Sequence, residues 1–229
     1  MAQIGQSNKQ RASRHHREAQ HPGIELPRPS RKDRGSLTRA LQRRKTVRQI
    51  APKPLPLAIL SDLLWAACGV NRRKGPFGCA GKTAASASNS QEVDLYVALA
   101  QGTYRYEPLS HRLDWLTDAD LRGHALGRGQ VDSGARAPVR LIFVADIDKL
   151  VHTRGYMEPG LRDPEVQRSY YYVDTGLIAA HVYLFAASAG LGAWFHHCEQ
   201  SRLAAKLHLR KDQRVLFAQT VGYPARKPR

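Results

Sequence analysis

The sequence predicts an α+β sandwich, and three observations carry that expectation. The stretch Tyr170 to Cys198, YYYVDTGLIAAHVYLFAASAGLGAWFHHC, is the longest without Lys, Arg or Glu. It reads as one central helix, apolar nearly all round and therefore buried on several sides. Short apolar, β-prone runs such as VDLYVALA and PVRLIFVA lie elsewhere in the chain. Strands and helices follow one another in mixed order, three or four strands and four or five helices, without the repeated alternation of a parallel βαβ sheet.

With 229 residues the chain can bury one substantial core, so one domain is the default. The net charge of +17 is unevenly placed. Through Arg48, thirteen Lys and Arg face three Asp and Glu, a surplus of ten that leaves only seven for the rest. Residues 1–23 carry almost no apolar side chains and read as a disordered basic arm ahead of a domain spanning 24–229. No aromatic residue interleaves the arm's charges, so nucleic acid is not the expected partner, although a non-catalytic protein that binds a polyanion or nucleic acid through the arm is the reading from a different class. Cys68, Cys79 and Cys198 have neither an even count nor a metal-type spacing, and the N-terminus lacks a secretory apolar core. A reducing, cytoplasmic setting without a membrane anchor is expected.

Taken in order, IELPRPSRKDRGS is an extended lead-in, and Ser36 caps a short helix from Leu37 to about Arg44. Leu57 to Cys68 has Leu60, Leu63, Leu64 and Ala67 at helical spacing, with Gly69 as C-cap. The Gly-, Ser- and Asn-rich segment 71–91 reads as a loop able to line a pocket. Val93 to Ala100 and Thr103 to Tyr106 form a hairpin about Gln101-Gly102. Residues 107–137 read as a surface excursion with a helical piece near Asp118 to Arg122. Pro138 to Ala145 is a buried strand, and 147–169 a loop whose GYMEPG element can serve as a lid. The central helix is expected to run about 15 residues, capped by Asp174 or Thr175 and stopped by Gly190. A small helix at Ser201 to Leu207 and a strand at Arg214 to Val221 complete the chain.

Two stretches invite chemistry. RRKTVR, residues 43–48, gathers four cations around one hydroxyl, which suits an anion. GLGAWFHHC leaves the central helix through small residues that let a ligand approach the backbone. Within it His196-His197-Cys198 raises the alternatives of a metal or a Cys nucleophile, but neighbours on extended chain point opposite ways and cannot easily share one ion. There is no G-x-S-x-G elbow, P-loop, H-E-x-x-H or G-x-G-x-x-G after a strand.

In the same order, LPRPS, RRKTVR, LSDLLWAACGVN, TAASASNSQEVDLYVAL, GTYRYEP, APVRLIFVAD, the central helix, AGLGAW and VGYP resemble the nitroreductase-like FMN oxidoreductases, closest to the azoline-dehydrogenase-type subgroup, from about Leu26 to Arg229. The resemblance implies a three-layer sandwich, a mixed, mostly antiparallel sheet flanked by helices, in an intertwined homodimer with two FMN sites at the subunit interface. It implies that Arg44, Lys45 and Thr46 hold the phosphate and ribityl end, and that Arg48 reaches the pyrimidine edge. Asn89 meets that same edge, with Ser86, Ser88 and Gln91 beside it. Ala193, Trp194, Phe195, His196 and His197 pass the dimethylbenzene and N5 side, and Arg229 closes on the phosphate.

The implied activity is ping-pong hydride transfer from NAD(P)H through flavin N5 to a small organic acceptor, nitroaromatic or quinone-like. The alternative within the family is an azoline-type dehydrogenase that returns hydride to oxygen and needs a general base, for which Tyr170 to Tyr172 or His196 are the candidates. Ala85, Ala180-His181 and His197-Cys198 depart from residues common in the family, which bears on the acceptor rather than on the cofactor.

Overall fold

The computed structural model describes residues 23–30, 35–127, 129–130, 137–155 and 159–225. The expected basic arm, up to residue 22, and Arg229 lie outside the described residues, as do 156–158 of the GYMEPG element.

Seven antiparallel strands form the central sheet: β1 (Ile24–Glu25), β4 (Val93–Leu99), β5 (Gly102–Glu107), β6 (Arg112–Thr117), β7 (Val139–Asp146), β8 (Gly192–His196) and β9 (Gln213–Gly222), in the order β1-β6-β5-β4-β7-β9-β8. A separate ribbon pairs β2 (Val70–Arg72) with β3 (Gly81–Lys82). The helices are α1 (Leu37–Arg43), α2 (Leu57–Cys68), α3 (Ile147–Val151), α4 (Pro164–Ser188) and α5 (Gln200–Lys206).

Strand β7 is buried at every position, as a central strand covered on both faces must be. Its alternation sorts two cores. Leu141 and Phe143, with Leu95 and Val97 of β4, face Leu63 and Leu64 of α2 and Ile178 and Val182 of α4. Ile142 and Val144, with Tyr96 and Ala98, face Leu121, Ala125 and Leu203 of α5. Helices, sheet and a thinner helical layer make the three-layer α+β sandwich that was expected.

The helix α1 is capped as predicted, Ser36 Oγ accepting from the Arg39 amide at 3.2 Å. Helix α2 has the predicted bounds, and Gly69 is required at its end because a Cβ there would lie 2.5 Å from the Trp65 ring.

Four expectations need correction. The central helix has 25 residues, not about 15, because Asp163 caps it, its side chain accepting from the Glu165 amide at 2.8 Å, with Pro164 at the first helical position. Asp174 and Thr175 lie inside it. The expected stop is present: Gly190 takes φ +69° and the Leu191 amide donates to Ala186 O. Second, the excursion 107–137 contains strand β6, whose mixed charges and apolar residues suit a strand with a half-exposed face, while 118–122 forms no helix. Third, segment 71–91 carries the β2–β3 ribbon and two 3₁₀ turns rather than being loop alone. Fourth, Gly192–His196 is a sheet strand, and the 147–169 loop holds α3 and a 3₁₀ turn at Pro159–Arg162.

In a single chain α4 is not buried all round. Tyr172, Val173 and Leu177 are 42%, 60% and 40% exposed, while Ile178 and Val182 are buried against the sheet.

Candidate active site

The run Arg44–Arg48 leaves α1 as extended chain and lies along the edge strand β8. Thr46 bridges Ala193 in parallel register, and the Val47 amide donates to Ala193 O at 2.9 Å. The approach is close because position 192 is glycine: a Cβ there would sit 2.8 Å from Val47 and Ile50 side-chain atoms. Tyr183 of α4 ties the junction. Its hydroxyl accepts from the Phe195 amide at 2.9 Å and lies 3.3 Å from Thr46 Oγ1, while the Arg44 guanidinium stands 5.6 Å over its ring. Arg48 stands 5.8 Å over the Trp194 ring.

Arg43, Arg44, Lys45 and Arg48 are exposed, and none meets a carboxylate among the described residues. Lys45 is out of phase with Arg44, Thr46 and Arg48. It lines, with Gln42, Arg43, Tyr183, Ala187 and Pro224, an open cavity of about 430 Å³ over the end of α4. Arg44 and Arg48, with the Thr46 hydroxyl between them in sequence, form a donor set that fits a phosphate ester, and Arg43 and Lys45 put two further cations on the cavity side.

Strand β8 divides its own residues. Ala193 and Phe195 face α4, where Phe195 stacks with Phe217 at 4.8 Å and Phe217 meets Tyr172 at 5.8 Å. His197, beyond the strand, also meets the Phe217 ring at 5.6 Å. Trp194 and His196 face the other way, their rings 4.4 Å apart. His196 is 5% exposed, with Nδ1 at 2.8 Å from His197 O and Nε2 at 2.8 Å from Thr220 Oγ1. With both nitrogens engaged and the ring turned from α4, it is poorly placed as a general base toward that face. Burial pushes the Cys198 thiol up to about 12, which leaves little thiolate for nucleophilic chemistry. Among the described residues no group of three His, Cys, Asp or Glu is placed to hold a metal.

Ser86, Ser88, Asn89 and Gln91 come together in a second cluster. Gln91 Nε2 donates to Ala80 O at 2.6 Å and to Asn89 Oδ1 at 2.9 Å, and the Gln91 amide donates to Ser86 Oγ at 3.0 Å. Ser88, Asn89 and Gln91 all have positive φ, 48°, 56° and 54°. Non-glycine residues rarely adopt that conformation, so three within four positions mark a turn held by its surroundings. The turn rests on α4, the Ala87 amide donating to Asp174 Oδ2 at 3.0 Å.

The two clusters do not converge within one chain. Asp174 and Tyr183 are nine residues apart on α4, which at 1.5 Å and 100° per residue puts their contacts about 13 Å apart along the axis and on opposite sides.

Sequence reasoning missed Tyr183 and Glu92. Tyr183 reads as one more apolar-face aromatic in HVYLF, and only the packing shows its hydroxyl organising β8. Glu92 carried a signal that went unread: an acidic residue immediately ahead of a buried strand. Its side chain is fully buried, accepts from Ser90 Oγ at 2.5 Å and stands against the Asp174 carboxyl. Burial pushes Glu92 up to about 7, and Asp174 upward as well.

The model of the nitroreductase family matches residues 41–223. A protein of Methanocaldococcus jannaschii provisionally named a nitroreductase is 32% identical over 160 residues, which cover 66% of this chain and 73% of that one. A crystal structure from Ralstonia eutropha, likewise provisionally named a nitroreductase, superposes with a TM-score of 0.77 at 34% identity over 90% of this chain and 91% of the other. Nitroreductase A of Vibrio parahaemolyticus has the same fold at 19% identity, with a TM-score of 0.57 over 85% of this chain and 70% of its own.

Proposed function

The chain belongs to the nitroreductase family and is an oxidoreductase of the flavin type, and from that premise we propose that it is a homodimeric, FMN-dependent enzyme oxidising NAD(P)H and reducing a small organic acceptor. The observation that carries the cofactor reading is the run Arg44–Arg48, whose cations have no carboxylate partner among the described residues and which is pinned to β8 through Thr46, Ala193 and Tyr183. Bound FMN would supply a hydride acceptor at N5, so donor and acceptor would take turns at one site.

The residues divide that work. Arg44, Lys45 and Thr46 hold the phosphate and ribityl end, with Arg229 as a further phosphate ligand. Arg48 places positive charge by the pyrimidine edge, where charge gathers on reduction, and so favours the reduced state. Asn89, steadied by Gln91 with Ser86 and Ser88 beside it, would turn its amide NH2 to that edge from the Pro76 and Ala80 carbonyls, each 3.4 Å away. The backbone from Ala193 to His197 would pass the dimethylbenzene side, with the Phe195, Phe217 and Tyr172 rings as an apolar floor beside it.

The separation of the two clusters supports the dimer reading. The strip of Tyr172, Val173 and Leu177 is exposed in one chain, and in the proposed dimer two chains would pair through it, the Asn89 turn of one completing the site with the Arg44–Arg48 run of the other. The test is direct. Purified protein should absorb at about 450 nm or take up FMN stoichiometrically, and it should oxidise NADH or NADPH only when an acceptor is supplied. Colourless protein that binds no FMN removes the reading.

A further inference from the structure

We propose that Glu92 and Asp174 are positioning residues: their two carboxyl groups share one proton and latch the Ser86–Gln91 turn to α4, fixing the Asn89 carboxamide. The link to flavin rests on the reading of residues 86–91 given above, while the latch itself stands on the geometry.

Glu92 sits where the turn enters β4, with no solvent exposure, and Asp174 is 4% exposed on α4. One Glu92 oxygen is taken by Ser90 Oγ, and one Asp174 oxygen by the Ala87 amide. The remaining Glu92 oxygen, Oε1, is buried and meets no other hydrogen-bond donor among the described residues, and the neighbouring carboxyl is that of Asp174. Both carboxyls line a cavity of about 10 Å³, together with Cys68 of α2, Lys82 of β3, Ser86, Gln91, Val93 and Ile178 of α4 among others. That is room for about one water, so two carboxylates facing it are poorly hydrated. Lys82 is the one cation among the lining residues and Cys68 the one other titratable group. Burial holds the Cys68 thiol up at about 11, so it stays neutral.

The arrangement is satisfied when neutral Glu92 donates its proton to the Asp174 carboxylate, which still accepts from Ala87. When that proton passes to the solvent, the hydrogen bond is lost and two negative charges face each other at close range. The turn needs the bond because Ser88, Asn89 and Gln91 occupy strained left-handed conformations that persist only while their surroundings hold them. Glu92 has a folded pKa above its unfolded value, so its contribution is fully present below the ordinary carboxylate range and is lost as pH rises through neutrality.

The test follows amide hydrogen exchange of residues 86–92 in the full-length protein from pH 5 to 9, corrected for the intrinsic rate. It runs beside the infrared band of the protonated carboxyl and FMN affinity by fluorescence titration. In the wild type, exchange should rise, the band should vanish and FMN affinity should fall by up to about tenfold per pH unit above the titration. Glu92→Gln keeps a donor toward Asp174 but cannot ionise, so both profiles should be flat. Asp174→Asn still accepts from Ala87 and offers a donor to ionised Glu92, so it should be flat also. A wild-type turn whose exchange ignores pH, or a Glu92→Gln protein that follows the wild type, overturns the latch. Exchange as expected with FMN affinity flat overturns the positioning role. If FMN binds at no pH, the proposed function fails and exchange with the infrared band still decides the latch. If Glu92→Gln does not fold, the wild-type exchange and infrared profiles decide it.

Discussion

Tyr183 Oη accepts the amide hydrogen of Phe195 at 2.9 Å, and this one bond fixes the edge strand β8 to the central helix. The same hydroxyl lies 3.3 Å from Thr46 Oγ1, so a single phenol joins α4, β8 and the cationic run.

Removing that hydroxyl should loosen all three. Tyr183→Phe keeps the ring beneath Arg44 but leaves the half-buried Phe195 amide without its acceptor, which costs about 1–3 kcal/mol. For a chain of this length that is a fall of several degrees in Tm, roughly 2–4 °C per kcal/mol. FMN affinity should weaken as well, because Thr46 loses its anchor. Calorimetry and a flavin titration check both effects, and an unchanged Tm shows that the bond does not organise the strand.

Much of this architecture was legible in the chain. Helix α1 with its Ser36 cap, helix α2 from Leu57 to Cys68, and strands β4, β7 and β9 all announce themselves through local pattern and cap chemistry. What was not legible depends on contacts distant in sequence. The start of α4 was misplaced because Tyr170–Val173 is a β-prone run, and its helical state comes from packing and from the Asp163-Pro164 cap upstream. Strand β6 hid behind its charges: Arg112 and Asp114 are paired at 2.7 Å on its half-exposed face. Of the candidate site, the cationic run and the Asn89 turn could be named from sequence and family resemblance. That they lie on opposite sides of α4 could be learned only from the fold.

Arg48 is expected to tune the cofactor rather than merely hold it. With FMN bound, Arg48→Ala should lower the flavin's two-electron reduction potential, at about 30 mV for every 1.4 kcal/mol of lost charge stabilisation. Arg44→Ala should weaken FMN retention with less effect on the potential. Spectroelectrochemical titration of the two variants separates the roles. Equal potentials in wild type and Arg48→Ala place the guanidinium away from the pyrimidine edge.

A second pH limb should arise far from the cofactor. His111 Nε2 lies 2.8 Å from Ser61 Oγ and Nδ1 lies 2.8 Å from the Tyr106 hydroxyl, while Ser61 Oγ donates to Pro27 O at 2.6 Å. Neutral His111 thus helps hold the N-terminal lead-in against α2. Burial lowers its folded pKa below 6.5, so the unfolded chain takes up the proton first and stability falls as pH drops through 6.5. Thermal melts from pH 7.5 to 5 should show this limb in the wild type and a shallower one in His111→Gln. Identical slopes assign the acid sensitivity elsewhere.

The central helix offers a pair of substitutions that separates folding from assembly. Val182 is fully buried against the sheet, whereas Leu177 is 40% exposed in the single chain. An unpaired carboxylate at position 182 costs several kcal/mol wherever the second subunit sits, so Val182→Asp should abolish folding. At position 177 a carboxylate stays hydrated in the monomer and is desolvated only on pairing. Leu177→Asp should therefore leave a folded chain that fails to dimerise. It should also bind FMN weakly, because the proposed site, shared between the Asn89 turn of one chain and the Arg44–Arg48 run of the other, would not be assembled. FMN added to the wild type should shift assembly toward the dimer by mass action. Sedimentation over a range of concentrations, with and without FMN, reads each outcome. A Leu177→Asp protein that dimerises and holds flavin like the wild type moves the interface away from this face of α4, and a wild type that stays monomeric with one FMN per chain removes the shared site altogether.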